Sequence, residues 1–258
     1  MHRRPEPPEA PARDFLGVFA PGSSAPILIQ TAVFLALTGV IWSVLFSDMR
    51  EETWQKNMWL CLWVFFASLY FLSLWFFRDP KRVPETGGDV FPVLSPADGR
   101  VLCVEKVGAE SAPEHLQGGT WWKICIFMNF YNVHVVRSPL DGEVKAMKYT
   151  PGKHIPAFKK ESDRNEKLLV VLGDPPVAGV EMIAGAFARR IVPYIHVGDV
   201  VQKGERIGLI RYGSRVNLYL LEEYQPLVSR GEKVCAGESV VAEKKEKKES
   251  TGPAGGGV

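Results

Sequence analysis

The chain has 258 residues, with 31 Lys and Arg against 29 Asp and Glu and a formal net charge of +2, so no global basic field points to nucleic acid. A mean hydropathy of −0.02 is that of an ordinary soluble protein, yet five of the seven Trp and nine of the fourteen Phe precede residue 79, which excludes one uniform globular domain. Four Cys without a CxxC pair argue against a disulfide scaffold or a structural zinc site, and for reduced thiols in a cytosol-facing domain.

Residues 1–25 are Pro-rich and are expected to be disordered. Residues 26–46 (PILIQTAVFLALTGVIWSVLF) and 58–77 (MWLCLWVFFASLYFLSLWFF) carry no charged side chain. About twenty apolar residues cross the roughly 30 Å hydrocarbon core of a bilayer as helix. The first run is too long for a signal-peptide core and a second follows at once; both are apolar on every face, unlike a soluble core hairpin. A two-helix transmembrane hairpin is therefore expected. Arg3, Arg4 and Arg13 precede it, Arg50 and Lys56 lie in its loop, and Arg78, Lys81 and Arg82 follow it. That bias places both termini in the cytoplasm.

Residues 78–242 suffice for one domain. Val-, Ile- and aromatic-rich runs at 99–107, 121–128, 132–137, 142–149, 168–172, 180–188, 206–211 and 215–220, separated by Gly, Pro, Asp and Asn, predict a mainly β domain. No amphipathic helix of more than about ten residues is visible. Residues 243–258 form a charged, then Gly-rich, disordered tail. Ser95-Pro-Ala-Asp98-Gly99 is echoed by Ser138-Pro-Leu-Asp141-Gly142, two turns that each open a strand. The segment 197–210 resembles a strand-turn-strand of lipoyl and biotinyl carrier domains, which suggests a barrel-sandwich architecture. The residue ten positions after Gly204, where those domains carry the modified Lys, is Ser214.

Ser214 follows Gly213 between two strand-like runs. A glycine there lets the backbone bend so that a hydroxyl reaches the preceding carbonyl. Taken alone, Gly-Ser is a common turn pair. Together, Ser95-Pro-Ala-Asp98-Gly99, Asn132-Val-His134 with the Ser138 motif behind it, and Tyr212-Gly-Ser214-Arg215 resemble, in order, the phosphatidylserine decarboxylases. The chain is most similar to the short, membrane-hairpin bacterial branch of that family. The resemblance implies a proenzyme cut by itself between Gly213 and Ser214 into a large and a small chain, with Ser214 converted to a covalent pyruvoyl group. It implies His134 as general base, in a strand-like stretch, and Asp98 as the carboxylate that orients it, with Asp141 as a purely structural counterpart. It implies phosphatidylserine in the inner membrane as substrate.

Two positions depart from the family pattern. Tyr131 stands where many relatives have a first His, and Arg215 replaces a small hydroxyl residue of the longer type; Arg215 could steady a phosphate or carboxylate. Residues 151–166 read as a long loop, with Phe158, Lys159, Lys160 and Arg164 as candidate lid and lipid-phosphate contacts. His115, His154 and His196 have no metal-site spacing, so no metal is expected. A homo-oligomer is compatible with the sequence. Two other readings remain at this stage: a membrane-tethered carrier module modified at Lys148, and a membrane-anchored serine hydrolase, both of which predict an uncut chain.

Overall fold

Two long runs that are apolar on every face build helices α1 (Ser24–Ser47) and α2 (Thr53–Phe76) before any strand appears. The computed structural model describes residues 19–21, 23–47, 53–84, 92–116, 118–152, 164–185, 191–211 and 214–244. Both helices are long and apolar enough to cross a membrane, and their outer faces expose Leu28, Leu35, Phe46, Phe65 and Phe71. They lie against each other through Phe34 stacked on Tyr70 at 4.6 Å. Three polar contacts join them: Thr31 with Tyr70 (3.0 Å), and bonds donated by Trp63 to Thr38 (3.2 Å) and by Ser73 to Gln30 (2.6 Å). Side-chain hydrogen bonds of this kind hold helices together where apolar surroundings offer no hydrophobic drive. The second helix starts earlier than the apolar run, because Trp54 to Asn57 continue it.

The remainder is mainly β, as the composition predicts. Its strands are β1 (Pro92–Leu94), β2 (Gly99–Val107), β3 (Trp121–Met128), β4 (Val135–Arg137), β5 (Gly142–Thr150), β6 (Lys167–Leu172), β7 (Ala178–Ala184), β8 (Ile191–Pro193), β9 (Val200–Val201), β10 (Arg206–Ile210), β11 (Ser214–Leu221), β12 (Tyr224–Pro226), β13 (Lys233–Val234) and β14 (Val240–Lys244). An eight-stranded sheet in the order β13-β2-β3-β11-β7-β6-β5-β9 curls into a half-barrel, flanked by the small sheets β1-β14-β12 and β4-β10-β8. Ile124, Ile126, Met128, Val180, Met182, Val216 and Leu218 fill its concave side. Alternation along β11 sends Ser214, Val216 and Leu218 to that core and Arg215, Asn217 and Tyr219 to the other face.

The echoed Asp-Gly turns are the visible part of a deeper pairing. Gly99 and Gly142 open β2 and β5, and each meets a two-residue strand, β13 and β9 respectively. The Gly231 and Gly237 amides donate to Val101 and Ser95, as the Gly198 and Gly204 amides donate to Val144 and Ser138, all at 2.8 Å. These four glycines have φ of +96°, +70°, +96° and +81°, a region that other residues rarely adopt. Ser95 Oγ donates to Ala97 O (2.7 Å) and Ser138 Oγ to Leu140 O (2.6 Å), completing the match.

A second cluster fastens the helices to the domain. Phe76, Phe77, Ala20 and Ile27 pack with Val133, Val135, Val192 and Leu209. Ala20 N donates to Phe77 O (2.9 Å), so the chain entering α1 pairs with the chain leaving α2. Beyond Phe77, Asp79 is buried between Arg137 (2.6 Å) and Arg206.

Candidate active site

Strand β3 ends at Met128, and two Asn side chains close the turn that follows. Asn132 Oδ1 accepts from Asn129 N and Asn129 Oδ1 from Tyr131 N, both at 2.9 Å. His134 comes next, one residue before β4 rather than inside a strand. It is fixed from both sides nonetheless: its carbonyl accepts from Ile210 N at 3.1 Å, and its ring is wholly buried. Nδ1 lies 2.9 Å from Asn132 O. A carbonyl only accepts, so Nδ1 carries the proton and Nε2 is left as the bare nitrogen. Nε2 is buried with no hydrogen-bond partner among the described residues. The Phe76 ring covers the imidazole at 4.3 Å between centroids. Burial holds the imidazole pKa down to about 4; the Asn132 carbonyl works in the opposite sense, and the charge of Arg78 adds to the lowering. At neutral pH this is an uncharged ring with an available lone pair.

Ser214 is the first residue of β11 and sits between Met128 of β3 and Ala184 of β7. It is fully buried, and its Oγ lies 3.3 Å from Met128 Sδ. The strand ends that carry Ser214 also carry His134: β3 leads into the histidine turn, and Ile210, which binds the His134 carbonyl, is four residues upstream of the serine. No hydrogen bond joins the two side chains among the described residues. Gly213 lies outside them.

Asp98 makes no hydrogen bond to the imidazole among the described residues. Its two carboxylate oxygens share one Arg82 nitrogen, Nη2 (3.0 and 2.9 Å), and accept a bond from Ala236 N (2.8 Å) and a longer one from Val133 N (3.4 Å). The physical reason is competition: one guanidinium nitrogen and two amides occupy both oxygens. The counterpart Asp141 clarifies which contacts are special. Asp141 Oδ1 accepts from Lys203 N (2.7 Å), the residue before Gly204, as Asp98 accepts from the residue before Gly237. The turn bond is thus common to both aspartates, whereas Arg82 and the backbone of the histidine turn belong to Asp98 alone. Asp98 acts on the backbone next to His134, and Arg82 also reaches Glu238 at 2.9 Å.

The other expected residues scatter. Arg215 is buried on the face of β11 opposite to Ser214, across from Phe127 and Ile183. Tyr131 is 69% exposed at the foot of α2, where its carbonyl accepts from Arg78 (2.6 Å). Arg164 is exposed; Phe158, Lys159 and Lys160 lie outside the described residues. The ends of that loop do meet near the serine. Gly152 has Asn165 so close that a Cβ would sit 2.1 Å from its carbonyl carbon. Asn165 Nδ2 in turn donates to the carbonyl of Ala184, the β7 partner of Ser214 (2.8 Å). Lys148 stands within β5, ion-paired with Glu114, not on a hairpin tip.

Sequence reasoning gave no site role to Phe76 or Arg82, and named Asn132 only as part of the histidine motif. Phe76 read as membrane filler and Arg82 as one of the flanking cations; only the fold shows that Arg78 and Arg82 spend their charge on the domain.

The family model described as phosphatidylserine decarboxylase matches residues 69–242. A phosphatidylserine decarboxylase proenzyme of Polynucleobacter asymbioticus is 45% identical over 81% of this chain and 91% of its own. One of Oleidesulfovibrio alaskensis is 44% identical over 71% and 82%. A Methanococcoides burtonii protein with the provisional name archaetidylserine decarboxylase proenzyme is 39% identical over 72% and 83%. The match spans the end of α2, the histidine turn, Ser214 and the last strand, and on that ground the chain belongs to the phosphatidylserine decarboxylase family.

Proposed function

We propose that this chain is the proenzyme of a pyruvoyl-dependent decarboxylase that converts phosphatidylserine to phosphatidylethanolamine, and that it matures by cutting itself between Gly213 and Ser214. The observation that carries the reading is the buried, neutral imidazole with a bare Nε2, held one strand pairing away from a buried serine. In the maturation step Ser214 Oγ attacks the Gly213 carbonyl carbon while His134 Nε2 takes the hydroxyl proton, and the acyl bond passes from nitrogen to oxygen. Loss of the Ser214 α-proton then expels the Gly213 carboxylate. Hydrolysis of the resulting dehydroalanine releases ammonia and leaves a pyruvoyl group at the head of the small chain.

The residues present fit such a group. Ser214 is paired on both sides, so its place survives the loss of the preceding bond. The pyruvoyl carbonyl supplies an electron sink that no unmodified side chain offers. His134 holds or returns the proton at Nε2, and Phe76 excludes water from it. Tyr131 and Arg164, together with Phe158, Lys159 and Lys160, are the proposed substrate contacts; Arg215, buried on the face of β11 turned away from Ser214, is not among them. Unchanged turnover on lipid vesicles after Lys159, Lys160 and Arg164 are replaced by Ala would remove that assignment. The names of the relatives share a serine headgroup on two lipid backbones, which supports recognition of the headgroup rather than of the acyl chains.

The two apolar helices span the cell membrane, with both termini and the domain in the cytoplasm. Denaturing electrophoresis with intact-mass analysis tests the reading: the wild type separates into residues 1–213 and 214–258, and Ser214→Ala stays whole and inactive. An active wild type that remains one chain refutes it, and would favour a serine hydrolase.

A further inference from the structure

Cys103 and Cys125 are 22 residues apart in sequence, with nothing to link them until β2 and β3 pair. The pairing sets them directly opposite each other, just past a register shift between Val101 and Cys103. Directly opposed residues of an antiparallel pair have Cα atoms about 4.5–5.5 Å apart, inside the roughly 4.4–6.8 Å that a disulfide spans. The two thiols are free and their sulfurs lie 2.6 Å apart. Cys103 is half-buried and within reach of solvent, whereas Cys125 is buried. Both lie on the face of the sheet that carries Arg215, Asn217 and Tyr219, away from the face of Ser214.

We propose that Cys103 and Cys125 form a reversible dithiol–disulfide site, with Cys103 the attacking thiol and Cys125 the resolving one, acted on by low-molecular-weight disulfides. The division of labour follows from the surroundings. Hydrogen bonding from Cys125 lowers the pKa of Cys103 to about 7, and the same bond with burial raises that of Cys125. The thiolate therefore forms on the sulfur that solvent can reach. Lys123 and Glu105, paired at 3.2 Å, flank the site with opposite charges. The Cys103 thiolate attacks one sulfur of the small disulfide, forms a mixed disulfide and releases one thiolate. Cys125 then gives up its proton, attacks the Cys103 sulfur and releases the second. Two protein thiols are oxidised and one small disulfide is reduced to two thiols. In a reducing cytosol such a bond is transient and senses redox state. Its effect is to staple β2 to β3, the strand that supports β11 along its whole length. Glu105 brings a third donor near the sulfurs, all three atoms within 4.8 Å. Lys123 occupies that carboxylate, however, and two sulfurs already in contact need less movement to bond than to accept a metal between them.

The test uses the full-length protein in detergent micelles, treated with oxidised glutathione and digested without reductant. The expected product is a peptide pair joined through Cys103 and Cys125, two hydrogens lighter than the separate peptides and released by dithiothreitol. Cys125→Ser should trap glutathione on Cys103, and Cys103→Ser should leave Cys125 unmodified. At pH 7 an alkylating agent should consume Cys103 about three- to fourfold faster than the exposed Cys235. Free thiols at both positions after Cys235 has been oxidised would overturn the proposal. So would protection of both thiols that a chelator, and not a reductant, relieves, because that is the behaviour of a metal site.

Discussion

Removing the carboxylate of Asp98 and of Asp141 in parallel separates what the duplicated turn needs from what the histidine turn needs. Asp141→Ala deletes one bond, from Lys203 N, at an exposed position, a loss of about 0.5–1.5 kcal/mol. Asp98→Ala deletes the equivalent bond from Ala236 N, and also strands Arg82 and Val133 N. Arg82 and Asp98 side chains are only 11% and 10% exposed. Breaking a buried pair by removing one partner costs roughly 3–5 kcal/mol, moderated here because Glu238 still holds one arm of the guanidinium. In a domain of this size each kcal/mol moves the unfolding midpoint by about 2–4 °C, so the two variants should melt roughly 5–15 °C apart. Thermal unfolding in detergent reads the difference, and electrophoresis of the same samples reads self-cleavage. Asp98→Ala should cleave slowly or not at all, while Asp141→Ala cleaves at the wild-type rate. Equal melting shifts, with equal cleavage, would refute the argument that Arg82 and the Val133 amide distinguish the two aspartates.

Three further outcomes follow from the same geometry. The folded-state pKa of His134, about 4, lies below the ordinary value near 6.5, so the unfolded chain binds the extra proton first as pH falls. Stability should drop by an order of 3 kcal/mol between pH 6.5 and 4, with the self-cleavage rate flat down to about pH 5; denaturant titrations show the slope vanishing in His134→Gln, and a rate inflection at 6.5 would contradict the buried neutral ring. Phe76→Ala removes a wholly buried ring, costing about 3–5 kcal/mol, and should admit water to the imidazole, moving the inflection of the cleavage profile upward towards 6.5. After the cut, residues 214–258 should elute with residues 1–213 on size exclusion and part only in denaturant, because β11 is paired on both sides; early dissociation in buffer would count against that.

The strands legible in the sequence are those with long alternation. The runs 99–107 and 121–128 coincide with β2 and β3 to the residue. What escaped notice was short: β9 and β13 are two residues each, too brief for a period to show. Yet their surroundings share a pattern, Gly198-Asp-Val-Val-Gln-Lys-Gly204-Glu against Gly231-Glu-Lys-Val-Cys-Ala-Gly237-Glu, which could have revealed the duplication. For the site, motif order points to Ser214 and His134; the resemblance also implies Asp98 as the carboxylate beside the imidazole, whereas its bonds here go to Arg82 and to backbone amides. The partner of Asp98 is sixteen residues upstream, in irregular chain beyond the end of α2, and no spacing rule connects a residue flanking an apolar run to a turn in a β domain. The Cys pair was hidden for a like reason: cross-strand register does not exist until the hairpin closes.

The packing of Phe76 and Phe77 against Val133, Val135 and the His134 ring also alters how the domain meets a lipid surface. A domain on a flexible tether has a reach set by the length of its linker. Here the last turn of α2 is itself one wall of the histidine pocket, and Arg78, Asp79 and Arg82 are bonded to the domain immediately afterwards. The standoff between helix and pocket is therefore fixed in the rigid body; on the proposed function, lipid headgroups would meet the pocket at one set depth. Lengthening the chain at residue 77 would change that depth and break the pocket in the same stroke.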